Sequence, residues 1–527
     1  MKKLRNLFMI ISLLLITLLV ACKKDDQAAE VSTDEAENDN VTESGMPIVN
    51  EPITLNFFTN KSNQNYNNDW QSLYIWEEYE DLTNIKIEWE QVHNESLEEK
   101  RNLALASGDL PDAFYASNIP PLDLLRYGEQ GVLIPLNELI EEHAPNIRKI
   151  FEEQPEVKDA ITFPDGNIYS LPVIEHPDFI SMSLGASPLF HRKWVEKLGV
   201  PETTDEFYEY LKAIQDQSDD VPFGTLGMDH LVSWLEGSFG VANRGIDFID
   251  LDPETEALRF YPITEGYKEM LQYINKLYEE ELIEQNIFTI EHPDYLVNND
   301  EEIYGSTYYW PSDEWYDKYE PGIALEGPHG DQQFPSVGHT ISVLGQFSIT
   351  KDNDNPVETI RWVDYFYSDE GNKLFYLGIE GETFEERSDG TLRYMDHIID
   401  VDELTENEAI SKHFAWIGTN GPGARKMDYY HGSESSKAAI EAAEKMEPYF
   451  IDPEEKWPVF LFTEEESKEL DALKSDIEKY VEEMRDQFIS GNKSFSEWDD
   501  FVKTINNMGL DRYMEIQEQA YKRYIEN

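Results

Sequence analysis

Strand, helix, strand, helix and strand follow one another within about 65 residues near the start of this chain, and that order restricts it to α/β folds. Pro52-Ile53-Thr54-Leu55-Asn56-Phe57-Phe58 alternates with strand period and runs into a polar loop, Thr59 to Asn68. A helical pattern over Trp70 to Leu82 leads to a second strand, Ile85 to Trp89. Ser96 to Ala106 reads as a helix closed by Gly108, and Asp112 to Ala116 as a third strand. Parallel strands joined by helices cross over right-handedly, and ligands bind beyond the carboxyl ends of such strands. Those ends are the loops Asn60 to Asn68 and Ser117 to Pro121.

Length extends this to two lobes. The chain has 527 residues, too many for one ordinary core, and 40% hydrophobic content suits a globular protein. Later helical patterns lie over Thr204–Gln215, Thr264–Glu280 and Asn355–Tyr367. The last hundred residues are helix-rich, with one long amphipathic stretch, Glu464 to Phe488, then Trp498–Ile505 and Asp511–Tyr524.

The amino terminus sets the address. Lys2, Lys3 and Arg5 precede an apolar run, Leu7 to Ala21, of about 15 residues; such a run is short for a membrane span and reads as an export signal. The run ends Leu19-Val20-Ala21-Cys22, which looks like a bacterial lipobox. Residues 1–21 are then a signal peptide and Cys22, the sole cysteine, carries lipid; an ordinary secretory signal is the plainer alternative. Residues 22–49 hold almost nothing to bury and read as a flexible acidic tether. The chain is thereby expected at the extracytoplasmic face of a cell membrane, held by lipid. A net charge of −65 excludes nucleic acid as a partner, because phosphate binding needs a basic surface.

Seven short segments, in order, carry a family resemblance: Leu105-Ala106-Ser107-Gly108-Asp109-Leu110-Pro111-Asp112, Gly131 to Asn137, Asp165 to Pro172, Arg192 to Pro201, Leu277 to Ile283, Gly378 to Glu382 and Gln519 to Tyr524. Together they resemble the large lipoprotein branch of family 1 extracellular solute-binding proteins of bacterial ABC importers, which includes alginate-oligosaccharide-binding proteins. The resemblance covers about Ile53 to Tyr524. It implies a two-lobe, periplasmic-binding-protein-like fold (type II), α/β, with discontinuous lobes around a ligand cleft. It also implies an oligosaccharide ligand, an ABC permease with its ATPase as partners, and a monomer. Lobe one is expected over 50–172 plus 346–410, and lobe two over 173–345 plus 411–527. Family members often carry a calcium loop after the helix at Thr204–Gln215. Here Gln215 to Pro222 lacks the glycine turn and the alternating oxygens that Ca²⁺ needs, so no metal is expected. Asp250-x-Asp252-x-Glu254-x-Glu256 contains Pro253 and reads as a hairpin tip.

A sugar needs amides and carboxylates for its hydroxyls and flat rings for its C–H faces. Asn60, Asn63 and Tyr66 on the first strand-end loop, and Ser117 and Asn118 on the second, are candidates, with a solvated turn as the alternative. Tyr308, Tyr309 and Trp310, between Gly305 and Pro311, form an aromatic loop together with Trp315 just beyond it. Trp416, with Arg425 and Tyr429, makes a third wall, and Trp234 with Glu236 a weaker fourth. Trp310 and Trp416 are the expected stacking platforms. The ligand is expected to be a neutral or weakly charged plant or algal oligosaccharide; a uronate would need Arg425, Lys426, Lys61 or Arg244. Trp194, Trp362, Trp457 and Trp498 sit in structural motifs and are expected in the core. The sequence contains no nucleophile elbow, zinc-type histidine pair, P-loop or dinucleotide fingerprint, so an enzyme is not expected; a lipoprotein that binds peptides or another solute is the alternative.

Overall fold

A computed structural model describes residues 40–62, 69–388, 390–401, 404–419, 421–452 and 455–526. Its first sheet has six strands, in the order Gly423–Arg425, Leu171–Glu175, Ile341–Ile349, Ala113–Tyr115, Ile53–Lys61, Ile85–His93. Ile53–Lys61 runs parallel to both Ile85–His93 and Ala113–Tyr115, as the strand–helix–strand order requires. Along the first strand, Leu55 and Phe57 enter one core while Phe58 enters another on the opposite face. A sheet covered on both faces reads as this kind of dense apolar run. Ser107 and Gly108 end the helix Asn94–Ser107; Gly108 takes φ 77°, and Pro111 follows shortly after.

The second sheet has four strands, Tyr319–Pro321, Ser187–His191, Ser306–Tyr309 and Gly224–Thr225. Its core gathers side chains from Leu184 to Val337 and from Ala442 to Ala520. Helix Glu464–Ile489 closes this core against Glu265–Glu279 and Leu510–Glu526, and also touches Pro121–Glu129 of the first unit. A reciprocal capping box, Thr463 with Glu466, fixes where it starts. Ile249–Leu251 and Leu258–Phe260 pair as an antiparallel hairpin, with Asp252 Oδ1 accepting the N–H groups of Glu254 and Thr255 at its tip. No helix of the described residues is long and apolar enough to cross a membrane.

The chain passes between the sheets three times: after Glu175, before Ile341, and after Arg425. The last passage differs from the sequence expectation at 410/411. Phe414, Ala415, Trp416 and Ile417 pack in the first core, and Gly423–Arg425 pairs with Val173–Glu175. Gly421-Pro422-Gly423 marks a strand edge here rather than a loop wall, so residues 411–425 belong with the first sheet.

Candidate functional site

A cavity of about 610 Å³ lies where the second unit meets the crossing segments. Four pieces of chain form much of its wall. Residues 182–186 come from the first crossing and Pro335–Gly338 from the second; helix Met228–Leu235 supplies Asp229, His230 and Ser233. Helix Glu464–Ile489 contributes Glu478, Glu482 and Arg485, whose i, i+4, i+7 spacing puts them on one face. Lys456, Glu236, Asn243, Asp247 and Tyr261 add to the polar wall.

Strand alternation sorts the aromatic loop. Tyr308 turns inward, 1% exposed, its ring stacked on Trp234 at 6.1 Å. Tyr309 turns to the other face, where its hydroxyl meets His292 Nε2 at 2.7 Å. Trp310, just past the strand end, is 42% exposed and lines the cavity.

Burial sets the charges. It raises the Glu236 carboxyl to about 7, against the Tyr261 hydroxyl that donates to Oε1 at 2.8 Å and the Asn243 N–H. It likewise raises Glu478 to about 7, against Lys474, and lowers Lys456 to about 8. The Lys456 ammonium donates to the Pro335 carbonyl at 3.2 Å. Arg485 pairs with Asp229 and, at 2.9 Å, with Asp486. A smaller cavity of about 360 Å³ adjoins, sharing Ser183, Val337, Gly338 and Lys456 and adding Glu175, His176 and His339. Burial lowers His339 to about 4, and its Nδ1 accepts the Ile341 N–H at 2.9 Å. The pair of cavities offers acceptors, hydroxyls and one open indole: surfaces for a polyol with apolar faces.

The structure thus brings Glu236, Tyr308 and Trp310 into one cavity, with Tyr309 behind the indole. It puts the other candidates elsewhere. Trp234 is 0% exposed, packed between Phe223 and Tyr308, and Trp315 is buried in a satellite core with Tyr295 and Tyr319. Trp416 packs in the first core against Tyr376 and Tyr430, since its segment follows the first sheet. Arg425 forms a buried ion pair with Glu175 at 3.1 Å, and the Tyr429 hydroxyl donates to Asp369 at 2.6 Å. Of the cations considered for a uronate, Lys426 also pairs with Asp369, and Arg244 with Glu455. Trp194, Trp362, Trp457 and Trp498 are all buried.

Asn60, Ser117 and Asn118 stand at the carboxyl ends of the first-sheet strands. Asn118 takes φ 50°, its carbonyl and that of Ser117 accept from Arg101, and its side-chain oxygen accepts from Gln346. Asn60 Oδ1, Ser117 Oγ and Gln346 Oε1 are buried without a hydrogen-bond partner there. Asn63 and Tyr66 lie outside the described residues. Sequence reasoning missed His230, Ser233, Lys456, Glu478, Glu482 and Arg485; the one available signal was the polar face of the long carboxyl-terminal helix. Among the described residues, no group of three or more His, Cys, Asp or Glu is placed to hold a metal ion.

Two α/β units on separate sheets, joined by three passages of the chain with a polar cavity beside them, define a two-lobe solute-binding architecture. Residues 68–373 match the family model for bacterial extracellular solute-binding proteins, and the chain belongs to that family. It is 25% identical over 512 residues to the fructooligosaccharide ABC transporter substrate-binding protein FusA of Streptococcus pneumoniae serotype 4, covering 90% of this chain and 91% of that one. Lipoprotein LipO of Bacillus subtilis is 23% identical, over 83% of this chain and 86% of its own. The structure of FusA in complex with kestose superimposes with a TM-score of 0.72, covering 90% of this chain and 100% of that one at 25% identity. Alginate-binding protein AlgQ2 without calcium ion gives 0.66 at 23% identity over 90% and 99%, a likeness of fold.

Proposed function

We propose that the mature protein is the substrate-binding component of an ABC importer: it captures an oligosaccharide in the cavity beside the chain crossings and delivers it to a membrane permease. The observation that carries this reading is Trp310. It is a large ring left open to solvent on the wall of a cavity that also presents carboxylates and hydroxyls, the combination that a sugar ring's C–H face and hydroxyls require. The relationship to FusA, which binds fructooligosaccharide, supports the ligand class.

The protein acts as a binder rather than an enzyme, and as a monomer. Lobe one comprises residues 50–175 plus 341–425, lobe two the intervening and following chain, and ligand binding draws them together. Cys22 anchors it by lipid to the outer face of the membrane. A glycan array on the mature protein, with a peptide library as control, tests the ligand class; selective retention of peptides would overturn it. Cys22→Ser should release the protein unprocessed or to the medium, and lipid-bound, processed mutant protein would remove the anchor.

A further inference from the structure

The cavity carries an excess of negative charge that its two cations do not offset. Asp229, Asp247 and Glu482 line it, joined by Glu236 and Glu478 as pH rises through about 7, against Lys456 and Arg485. Arg485 is already engaged by Asp229 and Asp486. Lys456 is half-buried and held by the Pro335 carbonyl, with Glu236 as its main favourable charge. Glu478 Oε1, by contrast, is buried without a hydrogen bond and has only Lys474, at 3.7 Å.

A second, independent feature points to a hydroxyl-bearing occupant. Tyr308 lines the same cavity at 1% exposure, and its hydroxyl makes no hydrogen bond of ordinary geometry, with the Ser233 and Ser336 hydroxyls beside it. Buried polar groups find partners, and a sugar hydroxyl can both donate to a carboxylate and accept from a phenol. A ligand carboxylate could do only the second. It would also leave water for a wall of like charge that offers no uncommitted guanidinium fork.

Resting on the oligosaccharide reading above, we propose that this cavity selects uncharged, hydroxyl-rich glycans and rejects uronate-containing ones, with Glu478 and Glu482 of the long carboxyl-terminal helix supplying the rejecting charge. The distinction matters within this fold, which also serves an alginate-binding protein.

The test is calorimetric titration of the mature protein at pH 8, where Glu478 is ionised, with neutral trisaccharides (kestose, maltotriose, xylotriose, mannotriose) and with galacturonate and guluronate trimers, at low and at high salt. At least one neutral sugar should bind, and each uronate should bind at least a hundredfold more weakly. That ratio should shrink as salt screens the wall. Glu478→Gln with Glu482→Gln should narrow it about tenfold; if the double variant melts early, Glu482→Gln alone should narrow it in the same direction. Uronates binding as tightly as neutral sugars, or a ratio indifferent to both salt and variants, would overturn the inference and leave the oligosaccharide reading standing. Binding of no glycan at all by the folded protein would overturn both.

Discussion

The indole of Trp310 and the His230 ring meet in a T-shaped contact, with centroids 5.5 Å apart and planes at 74°. Tyr309 meets the same indole from another side, at 5.0 Å and 90°. Edge-to-face contacts of this kind fix a ring's orientation, and the indole remains 42% exposed. Trp310 is therefore a prepared surface. Trp310→Ala should weaken oligosaccharide binding roughly tenfold, about 1.4 kcal/mol, while apo melting stays nearly unchanged. Titration and melting of the same sample check both halves.

Trp234 and Trp416 should behave in the opposite way. Both are buried in packed aromatic clusters, one in each unit. Replacing either with Ala should cost about 3–5 kcal/mol of stability. Chemical denaturation measures this; Trp416→Ala protein that remains folded should bind with wild-type affinity.

Glu236 predicts a pH dependence. Its carboxyl is raised to about 7 by burial, so the fold favours the neutral form. The stability it contributes is fully present below the unfolded value near 4.5 and is lost as pH rises through about 7. Glu236→Gln stays neutral. Relative to the variant, the wild type should lose roughly 3 kcal/mol between pH 4.5 and pH 8, read from denaturation curves at each pH.

Arg425 and Glu175 tie the strand Gly423–Arg425 to Leu171–Glu175 through a pair whose side chains are 12% and 6% exposed. Burial raises the Glu175 carboxyl even with the guanidinium beside it. Arg425→Met should then destabilise by about 3–5 kcal/mol, because it strands a buried charge. Arg425→Met with Glu175→Leu should recover most of the loss. A double-mutant cycle by urea denaturation measures the coupling.

These outcomes also mark where sequence reading succeeded. Local signals are strong in the first 60 residues of the folded part, where strand alternation at Leu55-Asn56-Phe57 and the Gly108 helix end each act within a few residues, as does the threonine cap at Thr264 farther along. Strand ends were read short, because Asn60-Lys61 is polar yet continues the ladder to Ile85–His93. The site was harder. Trp234 and Trp310 are the same residue type in similar surroundings, and only long-range packing decides that one is covered by Phe223 and Tyr308 while the other stays open. Glu478, Glu482 and Arg485 look like any solvated helix face until the helix is seen to close the cavity. The edge strand Gly423–Arg425 is hidden for a similar reason: preceded by Gly421-Pro422, it resembles a loop until its partner at Val173 is known.

The most direct test of the cavity's role is a crystal structure of the mature protein soaked or grown with an oligosaccharide that it binds in solution. The account predicts a sugar ring laid over the Trp310 indole, with hydroxyls reaching Glu236 or the Glu478–Glu482 face and Tyr308. A ligand seated instead at the first-sheet strand ends, around Asn60, Ser117 and Gln346, with the Trp310 cavity holding only water, would contradict it.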